Sequence, residues 1–152
     1  MVKSEISRGT FKIYKADVFD IEELSHLWLN MIYEVVPSPN PRVDWWKSYI
    51  EEFMKNDLYH CYYAEIDDKV VGFMDAMLYP DPITGKLYAQ CMHTYVLPEY
   101  RPNATFVLYK KVLNEGRKHK VDAFELNCFD PTKSFWEKHG MKCFGYHMRK
   151  DL

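Results

Sequence analysis

Two periodicities of apolar residues divide the first third of the chain into a strand and two helices. Apolar and polar residues alternate over 11–16, which predicts a strand. Apolar residues recur at three- and four-residue intervals over 21–32, which predicts an amphipathic helix. A loop at 37–41 contains three prolines and separates this helix from a second one, predicted over 44–55 with Asp44 as its cap.

The rest of the chain is predicted to alternate between strands and helices. The predicted strands are 60–66, 69–79, 87–96, 122–128 and 143–148. The first two of these are joined at Asp67-Asp68, a hairpin signal. Helices are predicted over 102–119 and 130–140. The order β-α-α-β-β-β-α-β-α-β predicts a three-layer α/β domain, and 152 residues are enough for a single domain with its own core.

Composition and charge exclude several classes of protein. A net charge of −2 gives no general attraction to nucleic acid or to anionic lipid. No apolar run has the length of a membrane span, and the first residues lack the apolar core of a signal peptide. The four cysteines are far apart and form no C-x-x-C pair, which indicates reduced thiols rather than a metal site. We therefore expect a cytoplasmic protein without a membrane or nucleic-acid partner.

The segment from Tyr95 to His119 combines the end of a strand, a tight connection at Pro98 and a helix. A turn that enters a helix presents unpaired backbone N–H groups and the positive end of the helix dipole, which suits a phosphate. Many strand–turn–helix units bind nothing, so this geometry alone does not identify a ligand.

Two motifs add information about this half of the chain. Val96 to Arg101 has the pattern Val-x-Pro-x-Tyr-Arg, and Ser134 to Met141 has the sequence Ser-Phe-Trp-Glu-Lys-His-Gly-Met. The first resembles the central acyl-CoA motif of the GNAT superfamily of N-acetyltransferases, and the second resembles that family's F-Y-E-K-x-G-F motif. They stand in the family's order, and the resemblance extends over roughly 11–152. It implies a GNAT-like fold over 1–152, with about six strands in a mixed central sheet and four helices.

The resemblance also implies an activity and a binding site. GNAT enzymes transfer an acetyl group from acetyl-CoA directly to a primary amine within a ternary complex. In the family, the strand before the central motif pairs with the pantetheine arm, and a loop R-x-x-G-x-G/A holds the pyrophosphate. The residues thereby implied in acetyl-CoA binding are Tyr95, Val96, Leu97, Arg101, Pro102, Asn103, Ala104, Thr105, Phe106, Asp130, Phe135, Trp136 and Lys138.

The phosphate loop departs from the family pattern. Ala104 and Phe106 stand at the glycine positions, where close backbone approach is the function of glycine, and Pro102 lacks an N–H donor. Two outcomes are open. Either the loop shifts in register and holds phosphate through Asn103, Ala104 and Thr105, or its grip on the pyrophosphate is weakened.

The residues for proton transfer depart as well. The family's base, a Glu, is replaced by Gln90, and the Tyr that often protonates the leaving thiolate is replaced by Trp136, whose indole N–H is no useful acid. Trp136 is equally well explained as a core aromatic residue. Tyr95 and Tyr146 are the remaining candidates for the acid.

Two further residues are candidates for the general base. His93 has an ordinary pKa near 6.5, which suits a base at neutral pH. Strict alternation places it on the opposite face from Gln90, although a bulge would change that. Asp75 lies within an apolar strand, where a carboxylate needs a partner. Both residues are also explained by purely structural roles.

Two functions from different classes therefore compete. The first is an N-acetyltransferase acting on an unidentified small-molecule or protein amine. The second is a GNAT-fold binding protein that has lost catalysis, with or without bound CoA, and the altered glycine, base and acid positions favour it. Glu34, Asp44 and Glu52 would favour a cationic acceptor if they line its cleft. A nucleic-acid-binding domain is disfavoured, and a homodimer through the final strand is left open.

Overall fold

The computed structural model describes residues 10–35, 40–128, 130–143, 145, 148 and 150. Within these residues the chain forms six strands and four helices. Their bounds are β1 Lys12–Lys15, α1 Ile21–Val35, α2 Val43–Met54, β2 Tyr59–Ile66, β3 Lys69–Pro80, β4 Leu87–Cys91, β5 Thr94–Val96, α3 Asn103–Lys118, β6 Ala123–Leu126 and α4 Asp130–Lys138. The predicted α/β architecture with a mixed six-stranded sheet and four helices is confirmed.

The strands form one sheet in the order β1-β2-β3-β4-β6, and β5 pairs with β3 beyond the end of β4. Every pairing is antiparallel except that of β4 with β6, which is parallel. The hairpin between β2 and β3 turns at Asp67 and Asp68, whose φ angles of 50° and 59° are the positive values that a type I′ turn requires. The predicted hairpin is therefore confirmed.

Each face of the sheet carries its own buried core. On one face α1 and α2 pack together, with the Trp28 and Trp46 rings stacked at 5.2 Å, over Phe73 and Tyr95 of the sheet. On the other face the apolar stripe of α3 packs against β2 and β3, and Trp136 of α4 joins the same cluster. The two clusters make this a three-layer structure, as the element order predicts.

The predicted strand 87–96 is interrupted. Gln90 pairs with Met77 and Thr94 pairs with Met74, so three residues of one strand lie opposite two of β3. This extra residue is a β-bulge, and it divides the predicted strand into β4 and β5.

Other boundaries differ less. Helix α2 begins at Val43 after Arg42, so Asp44 lies in its first turn and is not its cap; there its carboxylate still complements the helix dipole. The described residues of the predicted final strand 143–148 are not in a strand, and 144, 146 and 147 lie outside the described residues. Most of the proline-rich loop 37–41 lies outside them too. No helix in the described part of the chain is long and apolar enough to cross a membrane.

Candidate active site

The sheet opens beside β5. The parallel pairing of β4 with β6 ends at Cys91 and Leu126, and beyond this point β3 is the only described strand that pairs with β5. The Leu97 N–H donates to the Val71 carbonyl at 2.8 Å, so the backbone of Leu97 faces β3. Because backbone groups alternate in direction along an antiparallel strand, the N–H and C=O of Val96 point away from β3, into the opening.

Gly72 allows β5 to lie this close to β3. A Cβ atom at Gly72 would stand 2.6 Å from Cγ2 of Val96 and 2.9 Å from the Tyr95 carbonyl oxygen. Any side chain here would push β5 outward. Gly72 is not among the site residues predicted from the sequence, although an isolated glycine within a strand pattern signals a close backbone approach.

The N-terminus of α3 faces solvent without a side-chain cap. Helix α3 begins at Asn103, and the preceding Pro102 makes no capping hydrogen bond through its side chain. The methyl group of Ala104 is fully buried in the core. The Phe106 ring is 38% exposed and packs 4.9 Å from the ring of His139, which follows α4. The two residues at the family's glycine positions are thus directed to the core and to α4.

Arg101 is engaged by protein groups. Its Nε donates to the Val96 carbonyl at 2.6 Å, and Nη1 and Nη2 donate to the two carboxylate oxygens of Glu34 at 2.7 and 3.1 Å. The guanidinium also lies over the Tyr95 ring, 5.1 Å from its centre, and the Tyr95 hydroxyl donates to Glu34 at 2.8 Å. Arg101 is predicted from the sequence as a cofactor ligand, but its cluster with Glu34 and Tyr95 is not.

The contacts within this cluster shift the pKa values of Glu34, Arg101 and Tyr95. The hydrogen bond from Arg101 lowers the pKa of Glu34, and the same contact raises the pKa of Arg101. Burial, followed by the hydrogen bond to Glu34, raises the pKa of Tyr95 to about 12. Glu34 is therefore a paired carboxylate, and Glu52 is likewise paired, with Lys55 at 2.6 Å. Neither supplies the free negative charge that was considered for a cationic acceptor.

The bulge between β4 and β5 is built around Asp75. This side chain is 0% exposed. Its Oδ1 accepts the backbone N–H groups of Met92 and His93, at 3.1 and 2.6 Å. Its Oδ2 accepts the Tyr59 hydroxyl at 2.7 Å and lies 2.8 Å from Nδ1 of His93. A carboxylate in the middle of an apolar strand is explained by these four contacts.

The bulge also sets the direction of His93. Its ring lies edge-on to Trp46 of α2 at 6.3 Å, so it faces the layer of α1 and α2. Gln90 faces the same layer, because its cross-strand partner Met77 packs there. The two candidates that strict alternation separates are thus on one face.

The contact with Asp75 makes His93 a stronger base than a free histidine. Burial lowers its pKa, but the negative charge of Asp75 and the hydrogen bond to it together outweigh burial and raise the pKa above 6.5. The side chain remains 17% exposed, so solvent reaches the ring. A histidine held by a carboxylate at one nitrogen has the other nitrogen available for proton transfer.

The predicted residues on and after α4 have different surroundings. Trp136 is buried in the core, edge-on to Tyr109 at 5.5 Å, and Phe135 packs against it. Lys138 is exposed at the end of α4, and Asp130 is the first residue of that helix. Tyr146 lies outside the described residues. The described part of the chain contains no group of three or more His, Cys, Asp or Glu side chains arranged to hold a metal ion.

Comparison with solved structures shows that the fold is shared. A predicted acetyltransferase with acetyl-CoA from Clostridium acetobutylicum superposes with a TM-score of 0.82 at 18% identity, over 94% of this chain and 97% of that chain. A ribosomal-protein-alanine N-acetyltransferase from Brucella melitensis biovar Abortus 2308 gives 0.74 at 18%, over 94% and 99%. A glucosamine-6-phosphate N-acetyltransferase from Arabidopsis thaliana gives 0.74 at 16%, over 94% and 99%. At these identities the likeness concerns the fold.

The sequence comparisons supply the family. No curated protein sequence matches the chain. A model of the acetyltransferase (GNAT) family matches residues 21–141, which is most of the chain and includes the bulge, β5, α3 and α4. This chain therefore belongs to the acetyltransferase (GNAT) family.

Proposed function

We propose that this protein is an N-acetyltransferase that transfers the acetyl group of acetyl-CoA directly to a primary amine. One observation carries the proposal: the free edge of β5 runs from the uncapped N-terminus of α3 to the His93–Asp75 pair. A diphosphate suits the first end, and a proton acceptor stands at the other. The length between them offers strand-edge hydrogen bonds to the amides of a pantetheine arm.

The end of α3 supports a diphosphate in spite of its altered glycine positions. The backbone N–H groups of Asn103, Ala104 and Thr105 lie in the first turn of the helix, where they have no intrahelical acceptor. The Ala104 methyl group is buried and the Phe106 ring packs on His139, so neither side chain is directed over the helix end. These observations favour the first of the two outcomes considered for the loop, in which backbone groups hold the phosphate.

His93 is the proposed general base and Asp75 the residue that orients it. With Nδ1 of His93 donating to Asp75, Nε2 can take the proton of the acceptor amine. The amine nitrogen attacks the thioester carbonyl, a C–N bond forms, and the C–S bond then breaks to release the CoA thiolate. Gln90, on the same face, is placed to orient the acceptor or a water.

The proton for the thiolate also needs a source. Tyr95 is a poor acid, because its pKa is raised to about 12 and its hydroxyl already donates to Glu34. Trp136 is buried in the core and its indole is not acidic. We assign this role to the imidazolium formed on His93, which can return the proton directly or through water.

The fold does not determine which amine is acetylated. Two of the three neighbours are named for acetylation of a ribosomal-protein alanine and of glucosamine-6-phosphate, which are very different amines on one architecture. The pairing of Glu34 with Arg101 removes one source of attraction for a polycation. We therefore propose the reaction class and leave the acceptor to a screen.

A second candidate function is a GNAT-fold binding protein without catalysis. The observation that favours it is the engagement of Arg101 by Glu34 and Val96, which takes up a side chain that the phosphate loop would use. This candidate predicts a bound ligand or protein partner without turnover.

The test is calorimetric titration of the purified protein with acetyl-CoA, and with dephospho-CoA for comparison. We expect micromolar binding, about −8 kcal/mol. Release of the CoA thiol is then followed with polyamines, aminoglycosides and lysine-containing peptides as acceptors. Absence of any heat from a folded protein would remove the acetyltransferase proposal, and binding without turnover on any amine would favour the second candidate.

A further inference from the structure

The Val96 carbonyl in the opening already has a hydrogen-bond donor. It points away from β3, and Nε of Arg101 donates to it at 2.6 Å. A pantetheine amide that pairs with the edge of β5 needs this same carbonyl. The guanidinium of Arg101 and the acyl donor therefore compete for one acceptor.

Glu34 holds the guanidinium in this position. Its two carboxylate oxygens accept Nη1 and Nη2 of Arg101 at 2.7 and 3.1 Å, the bidentate geometry in which a planar guanidinium and a carboxylate bind most strongly. The Tyr95 hydroxyl fixes the carboxylate from the other side at 2.8 Å. Glu34 lies in the last turn of α1, so the contact spans the layer of α1 and α2 and the segment before α3.

We propose that Glu34 is a positioning residue that limits the affinity for acetyl-CoA by keeping Arg101 on the Val96 carbonyl. This inference rests on the proposed function and adds the residue that regulates its first step. When Glu34 releases Arg101, the Val96 carbonyl becomes free for the pantetheine arm. The released guanidinium stands two residues before the first residue of α3, where the diphosphate is proposed to bind.

The Glu34–Arg101 ion pair can compete with the pantetheine arm, and a diphosphate can displace it. The two charged side chains are 36% and 38% exposed, so solvent screens their attraction. A diphosphate offers Arg101 more negative charge than one carboxylate does, and the same bidentate geometry. The observed affinity is then the intrinsic affinity reduced by the fraction of molecules in which Arg101 has left Val96.

The experiment compares wild type with Glu34→Gln, titrated by calorimetry with acetyl-CoA and with acetyl-pantetheine, which lacks the diphosphate. We expect Glu34→Gln to lower Kd for acetyl-CoA by roughly three- to tenfold, because a neutral amide has one acceptor oxygen and no charge, and so holds the guanidinium less strongly than the carboxylate does. For acetyl-pantetheine we expect a smaller decrease in Kd. This ligand gains access to the Val96 carbonyl but has no diphosphate to bind the released guanidinium. In turnover assays KM for acetyl-CoA should fall and KM for the amine should not change.

Glu99→Gln is the matched control. It makes the same charge change in the short 3-10 turn 98–100 that precedes Arg101, and Glu99 pairs only loosely with Lys69, at 3.7 Å. Its Kd should equal that of wild type. Arg101→Lys is a second route to the same effect, because an ammonium keeps the charge but cannot bridge Val96 and Glu34 in this geometry. Circular dichroism and thermal unfolding verify that each variant is folded.

The outcomes separate the two proposals. If Glu34→Gln binds acetyl-CoA as wild type does, the Val96 carbonyl accepts both groups and Glu34 has no such role. If it binds more weakly, the Glu34–Arg101 pair builds the site instead of limiting it, and the inference is overturned. If neither wild type nor any variant binds either ligand while all are folded, it is the proposed function itself that fails.

Discussion

Asp75 is the single residue that explains most of the local geometry. One buried carboxylate accepts two backbone N–H groups, a tyrosine hydroxyl and the Nδ1–H of His93. A buried carboxylate without such donors would be strongly unfavourable. Here it stabilises the bulge and orients the histidine at the same time.

Asp75→Asn tests the orientation of His93. The amide nitrogen donates where the carboxylate oxygen accepts, which favours the His93 tautomer with its proton on Nε2. That tautomer cannot take a proton from the amine, so we expect kcat to fall by at least about 100-fold. The measurement is CoA thiol release at saturating substrates.

Tyr59→Phe is the control for this change. It removes another hydrogen bond to the same oxygen of Asp75 without altering the tautomer of His93. We expect it to cost stability, on the order of 1 kcal/mol, and to leave kcat within a few-fold of wild type. An equal loss of kcat in both variants would assign the effect to disturbed packing of the bulge.

The sequence carries part of this information. His93 and Asp75 are recognisable as unusual, a histidine of suitable pKa beside the central motif and a carboxylate within an apolar strand. Their contact is not recognisable, because 17 residues separate them and the bulge that joins them is formed by the contact itself. Glu34 and Arg101 are 67 positions apart, and their pairing is equally hidden.

At the scale of elements, apolar periodicity predicts the helices and most strands well. Each helix buries one face against the sheet, and the strands bury side chains under the helices. Apolar periodicity fails at Met92 and His93, whose backbone N–H groups donate to the Asp75 carboxylate, and these hydrogen bonds outweigh strand propensity. The division into β4 and β5 matters because it separates the strand that pairs with β6 from the strand that borders the opening.

The position of β5 gives a prediction at this scale. In Gly72→Ala the new methyl group meets the Tyr95 carbonyl at 2.9 Å and the Val96 Cα at 3.1 Å, and these backbone atoms cannot turn aside. We expect β5 to shift, the free energy of unfolding to decrease by roughly 1–3 kcal/mol, and acetyl-CoA binding to weaken. Urea unfolding and calorimetry measure the two effects.

Gly116→Ala is the matched control. The methyl group added there, in the last turn of α3, meets only Cγ2 of the Val121 side chain, at 2.9 Å, and alanine favours the helix. We expect it to retain wild-type affinity for acetyl-CoA. If Gly72→Ala also kept that affinity, the edge of β5 would not be part of the binding site.

At the scale of the whole molecule, the two faces of the sheet hold histidines whose pKa values are shifted in opposite directions. His93 lies on the face of α1 and α2, bound to Asp75. His60 lies on the other face, 7% exposed, with its ring 4.9 Å from that of His119 at the end of α3. Neither ring nitrogen of His60 has a hydrogen-bond partner among the described residues.

The two histidines therefore affect stability over different pH ranges. The pKa of His93 is raised, so its stabilising contribution is present below its ordinary 6.5 and is lost as the pH rises through its folded-state value. The pKa of His60 is lowered by burial, and secondarily by the charge of Lys15. Above pH 6.5 His60 is neutral in both the folded and the unfolded state, so its burial does not make stability depend on pH. As the pH falls from 6.5 to the folded-state pKa, the unfolded state is increasingly protonated and the free energy of unfolding decreases.

His60→Leu isolates the second effect, because His93 titrates equally in both proteins and cancels in the difference. Leucine fills a similar volume and removes two unpartnered nitrogens, so it should stabilise at neutral pH by about 1 kcal/mol. The gain should be larger at about pH 5.5 than at about pH 7.5. At the lower pH the unfolded wild-type chain takes up a proton at His60, which favours unfolding, and the leucine variant cannot do so. Urea unfolding at both pH values measures it, with the exposed His26→Gln as control. An equal difference at both pH values would mean that His60 is hydrated or hydrogen-bonded in solution, and that the core on the α3 face is open to water at that point.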